Sequence, residues 1–282
     1  MTVVQVPVEP PAPVRRRSRP DFSLIAALIV FAIIALWALV PGLFTAHDPL
    51  VGVARDSFAA PGAEHWFGAD RVGRDSYSRV VHGTRTTLIG ALVAVAIGLI
   101  AGSILGVAAA VSRGRVEAVI MRLVDVLLAV PGFLLALVLV TALGPGTLQI
   151  ALGVGIAAIA PFARLMRAEA LRVSNLEYVQ ASRLAGTRAP GVLLRHVLPN
   201  SIGPVLALVA VEVGNTILAI AALGFLGYGA PPPAPEWGTL IAEGRNYLGN
   251  AWWLTTFPGV VVLAVVLAFA RLSHWIQSAT RL

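Results

Sequence analysis

EYVQASRLAGTRAPGVLLRHVLPN, residues 177–200, is a polar, arginine-bearing stretch between two long apolar runs. Its residues predict a helical stretch, a break at Gly186, a second helical stretch and a stop at Pro199. A flexible connection between apolar segments needs no such order. We therefore interpret the stretch as a rigid element that a partner protein holds.

The composition places the rest of the chain in a lipid bilayer. Of the 282 residues, 57% are hydrophobic and only 12% are charged, and the mean hydropathy is +0.83. A soluble domain of this size has no core large enough for so much apolar surface. The predicted fold class is all-α, a polytopic membrane protein. Its six expected transmembrane helices lie at about residues 22–44, 84–111, 118–143, 147–171, 201–227 and 252–275.

The distribution of arginine predicts that both termini are cytoplasmic. With six spans, fifteen arginines then lie inside and six lie outside. The six outside are Arg55, Arg71, Arg74, Arg79, Arg85 and Arg245. In this orientation residues 177–200 face the cytoplasm, whereas residues 45–83 and 228–251 face outward.

The chain divides into three parts. Residues 1–20 are rich in proline and arginine and are predicted to form a disordered, basic cytoplasmic tail. Residues 21–83 hold the first transmembrane helix and an extracytoplasmic segment. Residues 84–277 form a five-helix core, which includes the 177–200 loop.

Two residue types are absent, and their absence excludes several functions. All 21 basic residues are arginine, so the chain lacks the lysine of a phosphate-binding P-loop, and any ATP hydrolysis belongs to another subunit. Cysteine is absent as well, which excludes disulfides and thiolate metal sites. The five histidines show no ligand spacing, so no metal site is expected. No Ser/His/Asp set indicates an enzyme, and no basic face with interleaved aromatics indicates a nucleic-acid partner.

The two outward-facing segments have features of their own. Residues 75–85 are expected to form an amphipathic helix at the membrane interface. Prolines stiffen residues 228–251, and Trp237, Trp252 and Trp253 suit the membrane–water boundary. Both segments are either ordinary loops with aromatic anchors or docking surfaces for a partner outside the membrane.

Polar residues and prolines interrupt the apolar runs. Glu212 and Asn215 of the fifth span are candidates for a substrate pathway, and pairing of Glu212 with an arginine of a neighbouring helix is the alternative. Asp125, near the cytoplasmic end of the third span, is expected to pair with Arg122 or a neighbour. Pro131 and Pro161 interrupt the third and fourth spans and are predicted to kink them.

Four motifs that occur in order make the chain resemble a membrane permease subunit of bacterial ABC importers. The resemblance is to the dipeptide/oligopeptide/nickel group of these importers, and within it to the DppC/OppC-like subunit. Residues 67–88 are similar to the pattern G-T-D-x-x-G-R-D-x-x-S-R, and residues 121–137 to M-R-x-x-D-x-x-x-A-x-P. Residues 180–199 match the spacing of the EAA loop. In that loop E-A-A is followed by three residues, a glycine, nine residues and then I-x-L-P. Residues 223–248 resemble L-S-F-L-G-L-G-x-x-P-P-x-P-x-W-G.

The resemblance implies a type I importer permease fold without a catalytic role or a cofactor of its own, in the bacterial inner (plasma) membrane. A homologous second permease would complete a heterodimer, two ATP-binding subunits would use ATP and Mg²⁺, and a solute-binding protein would dock outside. The contact with the ATP-binding subunits would comprise Gln180, Ala181, Ser182, Arg183, Leu184, Ala185 and Gly186. The contact with the binding protein is expected to involve Asp70, Arg74, Asp75 and Trp237.

The implied function is the transmembrane permease subunit of an ATP-driven importer, with di- or oligopeptides as the expected substrates. The chain departs from the EAA pattern because Gln180 replaces the glutamate and Ser182 the second alanine, so an ion pair at residue 180 is lost. The alternative function is a stand-alone secondary transporter of a small solute, for which the EAA spacing would have no purpose. The choice among dipeptides, longer peptides, nickel complexes and other solutes stays open.

Overall fold

The computed structural model describes residues 22–112 and 114–280, which are mostly helical. The α-helices of this part, in chain order, are α1 (Phe22–Leu39), α2 (Ser76–Ser112), α3 (Arg115–Ala129), α4 (Gly132–Leu143), α5 (Thr147–Ser174), α6 (Glu177–Leu184), α7 (Ala189–Val192), α8 (Leu198–Leu223), α9 (Trp237–Gly244) and α10 (Trp253–Thr280). Two π-helical turns, Leu193–Val197 and Gly224–Tyr228, extend α8 at its ends. The basic tail expected at residues 1–20 lies outside the described residues.

Five helical segments of the described chain are long and apolar enough to cross a membrane. They are α1, α2, α5, the continuous run Ala189–Tyr228, and α10. The expected third span is bent. Helices α3 and α4 are long and apolar enough to cross a membrane only when they are taken together, and they meet at an angle of 89°. The described residues therefore hold five membrane-crossing helices, or six if the bent pair is one span, and the all-α, multi-pass prediction is confirmed.

Proline causes the break between α3 and α4. Pro131 disfavours a helical conformation in the residue before it, and Val130 is extended, with φ −95° and ψ 128°. The predicted interruption of this span is therefore confirmed. Pro161, in contrast, does not break its helix, since α5 runs continuously from Thr147 to Ser174.

The expected stop at Pro199 is wrong. The chain is helical from Ala189 to Tyr228, and Pro199 lies in the first turn of α8. Proline has no N–H to donate into the preceding turn, and here it follows a π-helical turn in which the regular i to i−4 bonding is already interrupted. The wider π-helical turn Leu193–Val197 joins α7 to α8, so the 177–200 segment and the following span form one connected element.

Helix α2 begins earlier than the sequence predicts. It starts at Ser76, so residues 75–85 are the first turns of a long helix and not a separate amphipathic helix at the interface. These turns are also buried, with Arg79 at 1% exposed and Val80 and Val81 at 0%. The prediction failed because polar residues were taken to face water, whereas here they pair inside the protein. The expected boundary between residues 83 and 84 falls inside α2.

Small residues bring α2 against α5. A methyl group added to Gly102 would lie 2.6 Å from the carbonyl oxygen of Ile159, and one added to Gly98 would lie 2.7 Å from Cβ of Ala158. Gly106 and Gly155 lie equally close to the facing helix. Such contact between backbones is typical of packed membrane helices, and it makes this pair the rigid centre of the fold.

Candidate functional site

Helix α6 is a short, well-terminated helix at the end of the bundle where α2 and α5 finish. Its last turn closes with two bonds, from the N–H of Gly186 to the Arg183 carbonyl at 3.0 Å and from the N–H of Thr187 to the Ser182 carbonyl at 3.1 Å. Gly186 has φ +88°, the left-handed conformation that this ending requires. The predicted break at Gly186 is therefore confirmed, and it reverses the chain from α6 towards α7.

Most of α6 projects away from the rest of the chain. Only Val179 is buried, in a small apolar cluster with Val173 and Val192. Leu184, at the tip, is 90% exposed, and Tyr178 is 47% exposed. Leu184 and Tyr178 therefore leave apolar surface of α6 uncovered by the described residues.

The departures from the EAA pattern have structural partners. The side-chain amide of Gln180 donates to the backbone carbonyl of Asn175 at 3.2 Å, which a carboxylate cannot do because it has no N–H. Ser182 donates to the hydroxyl of Thr187 at 3.0 Å and lies 3.3 Å from Nε2 of His196. Both replacements therefore connect α6 to the segments before and after it.

A cavity of about 580 Å³ opens at the bend between α3 and α4. Its walls come from this bend, from α5 and from α8, and they are apolar except at Glu212, Asn215 and Thr216. The hydroxyl of Thr216 is buried and has no hydrogen-bond partner among the described residues. Residues spaced by three and four lie on one face of a helix, so α8 presents a single polar strip to an apolar chamber.

Two ion pairs hold α3 against α5. Asp125 accepts from Arg164 of α5 at 2.6 Å, and Glu117 accepts from Arg167 at 2.9 Å through Nε. The structure thus places a partner for Asp125 on the neighbouring helix, and the expected pairing with an arginine is confirmed. These bonds fix one wall of the cavity relative to α5.

A buried network of four charges lies at the opposite end of α2 from α6. Arg79 donates to Asp70 at 2.8 Å and to Glu243 at 2.7 Å, and Arg74 donates to the same two carboxylates at 2.6 and 3.4 Å. Two cations face two anions, so the burial leaves no unpaired charge. Burial opposes ionisation of Asp70, but the backbone N–H groups of Arg74 and Val72 and the Arg74 guanidinium together lower its pKa below the ordinary value.

Burial corrects the expected contact with a binding protein. Asp70, Arg74 and Asp75 are 6%, 8% and 4% exposed, and Trp237 is 0% exposed. The indole N–H of Trp237 donates to the carbonyl of Val80 at 3.0 Å. These side chains support the surface from within and do not present themselves to a partner. The mixture of acidic and basic residues at 70–79 was the available signal for internal pairing.

Asp75 also joins a cluster that the sequence did not predict. It caps α2 by accepting the N–H of Ser78 at 2.7 Å, and its other oxygen lies 2.8 Å from Nδ1 of His65. Possible ligand atoms of His47, His65 and Asp75 all lie within 4.8 Å of one another. The three residues are distant in sequence, so ligand spacing gave no signal. The contact between Asp75 and His65 is a hydrogen bond, and the absence of a metal site stays a prediction.

Glu236 is a second buried carboxylate that sequence reasoning missed. It is 0% exposed and caps α9, accepting the N–H groups of Gly238 at 2.8 Å and Thr239 at 3.1 Å. The hydroxyl of Thr87 on α2 donates to it at 3.4 Å. Burial raises the pKa of Glu236 to about 7, although these hydrogen bonds oppose the shift. The available signal was an acidic residue directly before a short helix.

Comparison with known sequences decides the family. The family described as binding-protein-dependent transport system inner membrane component matches residues 87–282. The chain belongs to this family. It is therefore an inner membrane component of a transport system that depends on a binding protein.

Two curated relatives and one solved structure illustrate the similarity of this inner membrane component to known proteins. The chain is 38% identical over 247 residues to the probable D,D-dipeptide transport system permease protein DdpC of Escherichia coli strain K12, covering 88% of this chain and 83% of that one. It is 41% identical over 217 residues to the di/tripeptide transport system permease protein DppC of Pseudomonas aeruginosa strain UCBPP-PA14, covering 77% and 72%. An inward-facing structure of the MetNI methionine ABC transporter shares the fold, with a TM-score of 0.60 and 17% identity over 71% of this chain and 95% of that one.

Proposed function

We propose that this protein is the permease subunit of an ATP-driven importer of di- or oligopeptides. Membership of the family and the two relatives, whose names specify dipeptide and di/tripeptide transport, support this proposal. The observation that carries it is the exposed, well-terminated helix α6, which has the form of a contact for ATP-binding subunits. In this role the chain itself is non-catalytic, and ATP and Mg²⁺ are used by two partner subunits.

The connections of α6 explain how a partner would move the cavity. Helix α5 ends at Ser174 and α6 begins at Glu177, while the run that starts at Ala189 continues into α8. Both α5 and α8 line the cavity. A rigid displacement of α6 by closing ATP-binding subunits therefore shifts two cavity walls, which is the kind of movement that alternating access requires.

A homologous second permease is proposed to complete the cavity. One face of α3 consists of apolar residues at helical spacing, and each is 54–62% exposed: Val116, Val119, Leu123 and Val126. This face adjoins the cavity wall at Leu127 and Leu128. A heterodimer would cover both and enclose the chamber between two related subunits.

The solute-binding protein is proposed to dock above the buried charge network. Trp66 is 62% exposed and Val72 is 41% exposed, and both belong to the segment before α2, which also holds Asp70 and Arg74 of the network. The network beneath them fixes this surface through Arg74 and Arg79, which gives a docking partner a rigid platform. The orientation that places this surface outside follows from the arginine distribution.

Reconstitution tests the function. The chain is assembled with the second permease, the ATP-binding subunits and the binding protein in proteoliposomes, and uptake of radiolabelled L-alanyl-L-alanine is measured. ATP-dependent uptake that needs all components is expected. Uptake driven by a proton gradient in vesicles that hold this chain alone would instead establish the secondary transporter.

A further inference from the structure

The polar strip on α8 is chemically distinct from everything else around the cavity. Glu212 is half-buried, Asn215 is exposed and Thr216 is 1% exposed, and all three line a chamber that is otherwise apolar. A volume of about 580 Å³ lies within the range of small-molecule sites. The chamber is thus large enough for a dipeptide, and its polar contacts are confined to one side.

The Glu212 carboxylate has no cationic partner in the part of the chain that the structure describes. Among the described residues, no arginine or histidine lies within salt-bridge distance of it, whereas Glu117 and Asp125 of α3 are both paired with arginine. A carboxylate at membrane depth is costly unless it faces a cavity or a partner. The unpaired position of Glu212 therefore calls for a cation from outside the chain.

The acceptors of the strip match one particular cation. The two oxygens of the Glu212 carboxylate and the amide oxygen of Asn215 offer three acceptors, and a primary ammonium group has three N–H donors. The apolar remainder of the chamber accepts side chains without selecting among them. We propose that Glu212, with Asn215, binds the α-ammonium group of a peptide in the translocation pathway, a subsite that rests on the function proposed above.

Transport with matched peptides tests this subsite. In the reconstituted importer, Glu212→Gln lowers subsaturating uptake of L-alanyl-L-alanine about tenfold, because a hydrogen bond to a charged group is lost. Glu212→Asp, which keeps the charge, recovers a large part of the rate. Glu169→Gln, which removes a carboxylate of α5 outside this cavity, leaves uptake unchanged. If the second permease no longer assembled with the Glu212→Gln variant, the proposal would be overturned. Glu212 of the wild type would then bind a cation of the second permease and not the peptide.

A thiol reporter measures the site without transport. The chain has no cysteine, so Ala219→Cys places its single thiol at the cavity wall. In the detergent-solubilised complex we compare its rates of reaction with 2-aminoethyl and 2-sulfonatoethyl methanethiosulfonate, which are cationic and anionic. Glu212→Gln, which removes the negative charge, lowers the ratio of the cationic rate to the anionic rate about fivefold or more. L-alanyl-L-alanine protects the thiol from both reagents, whereas its N-acetyl derivative does not.

The two measurements separate the subsite from the function. Absence of ATP-dependent uptake by the wild-type complex refutes the importer but leaves the reporter ratio as a valid test of the ammonium site. An unchanged reporter ratio in Glu212→Gln overturns the ammonium site, whatever the uptake. Equal protection by L-alanyl-L-alanine and its N-acetyl derivative overturns it as well.

Discussion

Replacing Leu184 by alanine tests the coupling contact directly. The side chain is 90% exposed in the isolated chain and stands at the tip of α6. If an ATP-binding subunit covers it, the change removes three carbon groups from a buried contact. At about 0.8 kcal/mol for each, the loss is about 2.4 kcal/mol, which raises the dissociation constant about 60-fold.

The assay is the affinity of the permease heterodimer, in lipid nanodiscs, for the purified ATP-binding subunits. The matched control is Leu263→Ala, because Leu263 is 56% exposed in the membrane-crossing helix α10 and is remote in sequence from α6. The control is expected to leave the affinity unchanged. Both variants should unfold like the wild type, since neither side chain is part of the buried core.

An affinity of Leu184→Ala within about threefold of the wild type would refute the reasoning. The exposed tip would then lie outside the contact, and α6 would no longer be the site at which the subunits meet. Transport coupled to ATP would need another contact on the cytoplasmic surface.

Three further predictions concern the other end of α2. Arg79→Met leaves a buried excess of negative charge and is expected to lower the free energy of unfolding in mixed micelles by about 3–5 kcal/mol. Adding Glu243→Gln restores neutrality and should recover at least half of that loss; no recovery would contradict the network. The pKa of Glu236 is about 7 in the folded protein and 4.5 in the unfolded chain. The free energy of unfolding is therefore expected to fall by roughly 3 kcal/mol as the pH rises from about 4.5 to about 7, and to stay constant above about pH 7. Glu236→Gln should lack this pH dependence, and an identical profile for the variant would show that another group titrates. The methyl group of Gly238→Ala would meet the carbonyl oxygen of Ala221 and lie 2.8 Å from the Cα of Ala221. The free energy of unfolding should therefore fall by about 1–3 kcal/mol in thermal unfolding. An unchanged melting temperature would disprove this close approach of α9 to α8.

The membrane-crossing helices were largely predictable because each is a local property of the sequence. A run of about 20 apolar residues crosses a bilayer whatever its neighbours are, and a glycine such as Gly186 ends a helix through its own backbone. The break at Pro131 is local for the same reason, since proline acts on the residue before it. These predictions needed no knowledge of which helices touch.

Two of the predictions that failed depended on what covers a residue. Residues 75–85 look amphipathic by themselves, but the partners of Arg79 lie at Asp70 and at Glu243, which is 164 residues away. The expected contacts Asp70 and Trp237 failed similarly, because a charged or aromatic residue in an outer segment was equated with exposure. Burial is a sum over distant segments and has no local signature.

The sequence by itself determined an all-helical chain that belongs in lipid and the glycine break that ends α6, because hydropathy and a helix-ending glycine are local facts. Only the tertiary structure decided which charges meet. It paired Arg74 and Arg79 inside the protein, paired Asp125 with Arg164 and placed Glu212 at a cavity whose described lining residues include no arginine. The reason is physical: the free energy of a charge is set by the groups that fold around it, and those come from helices that are far apart in the chain.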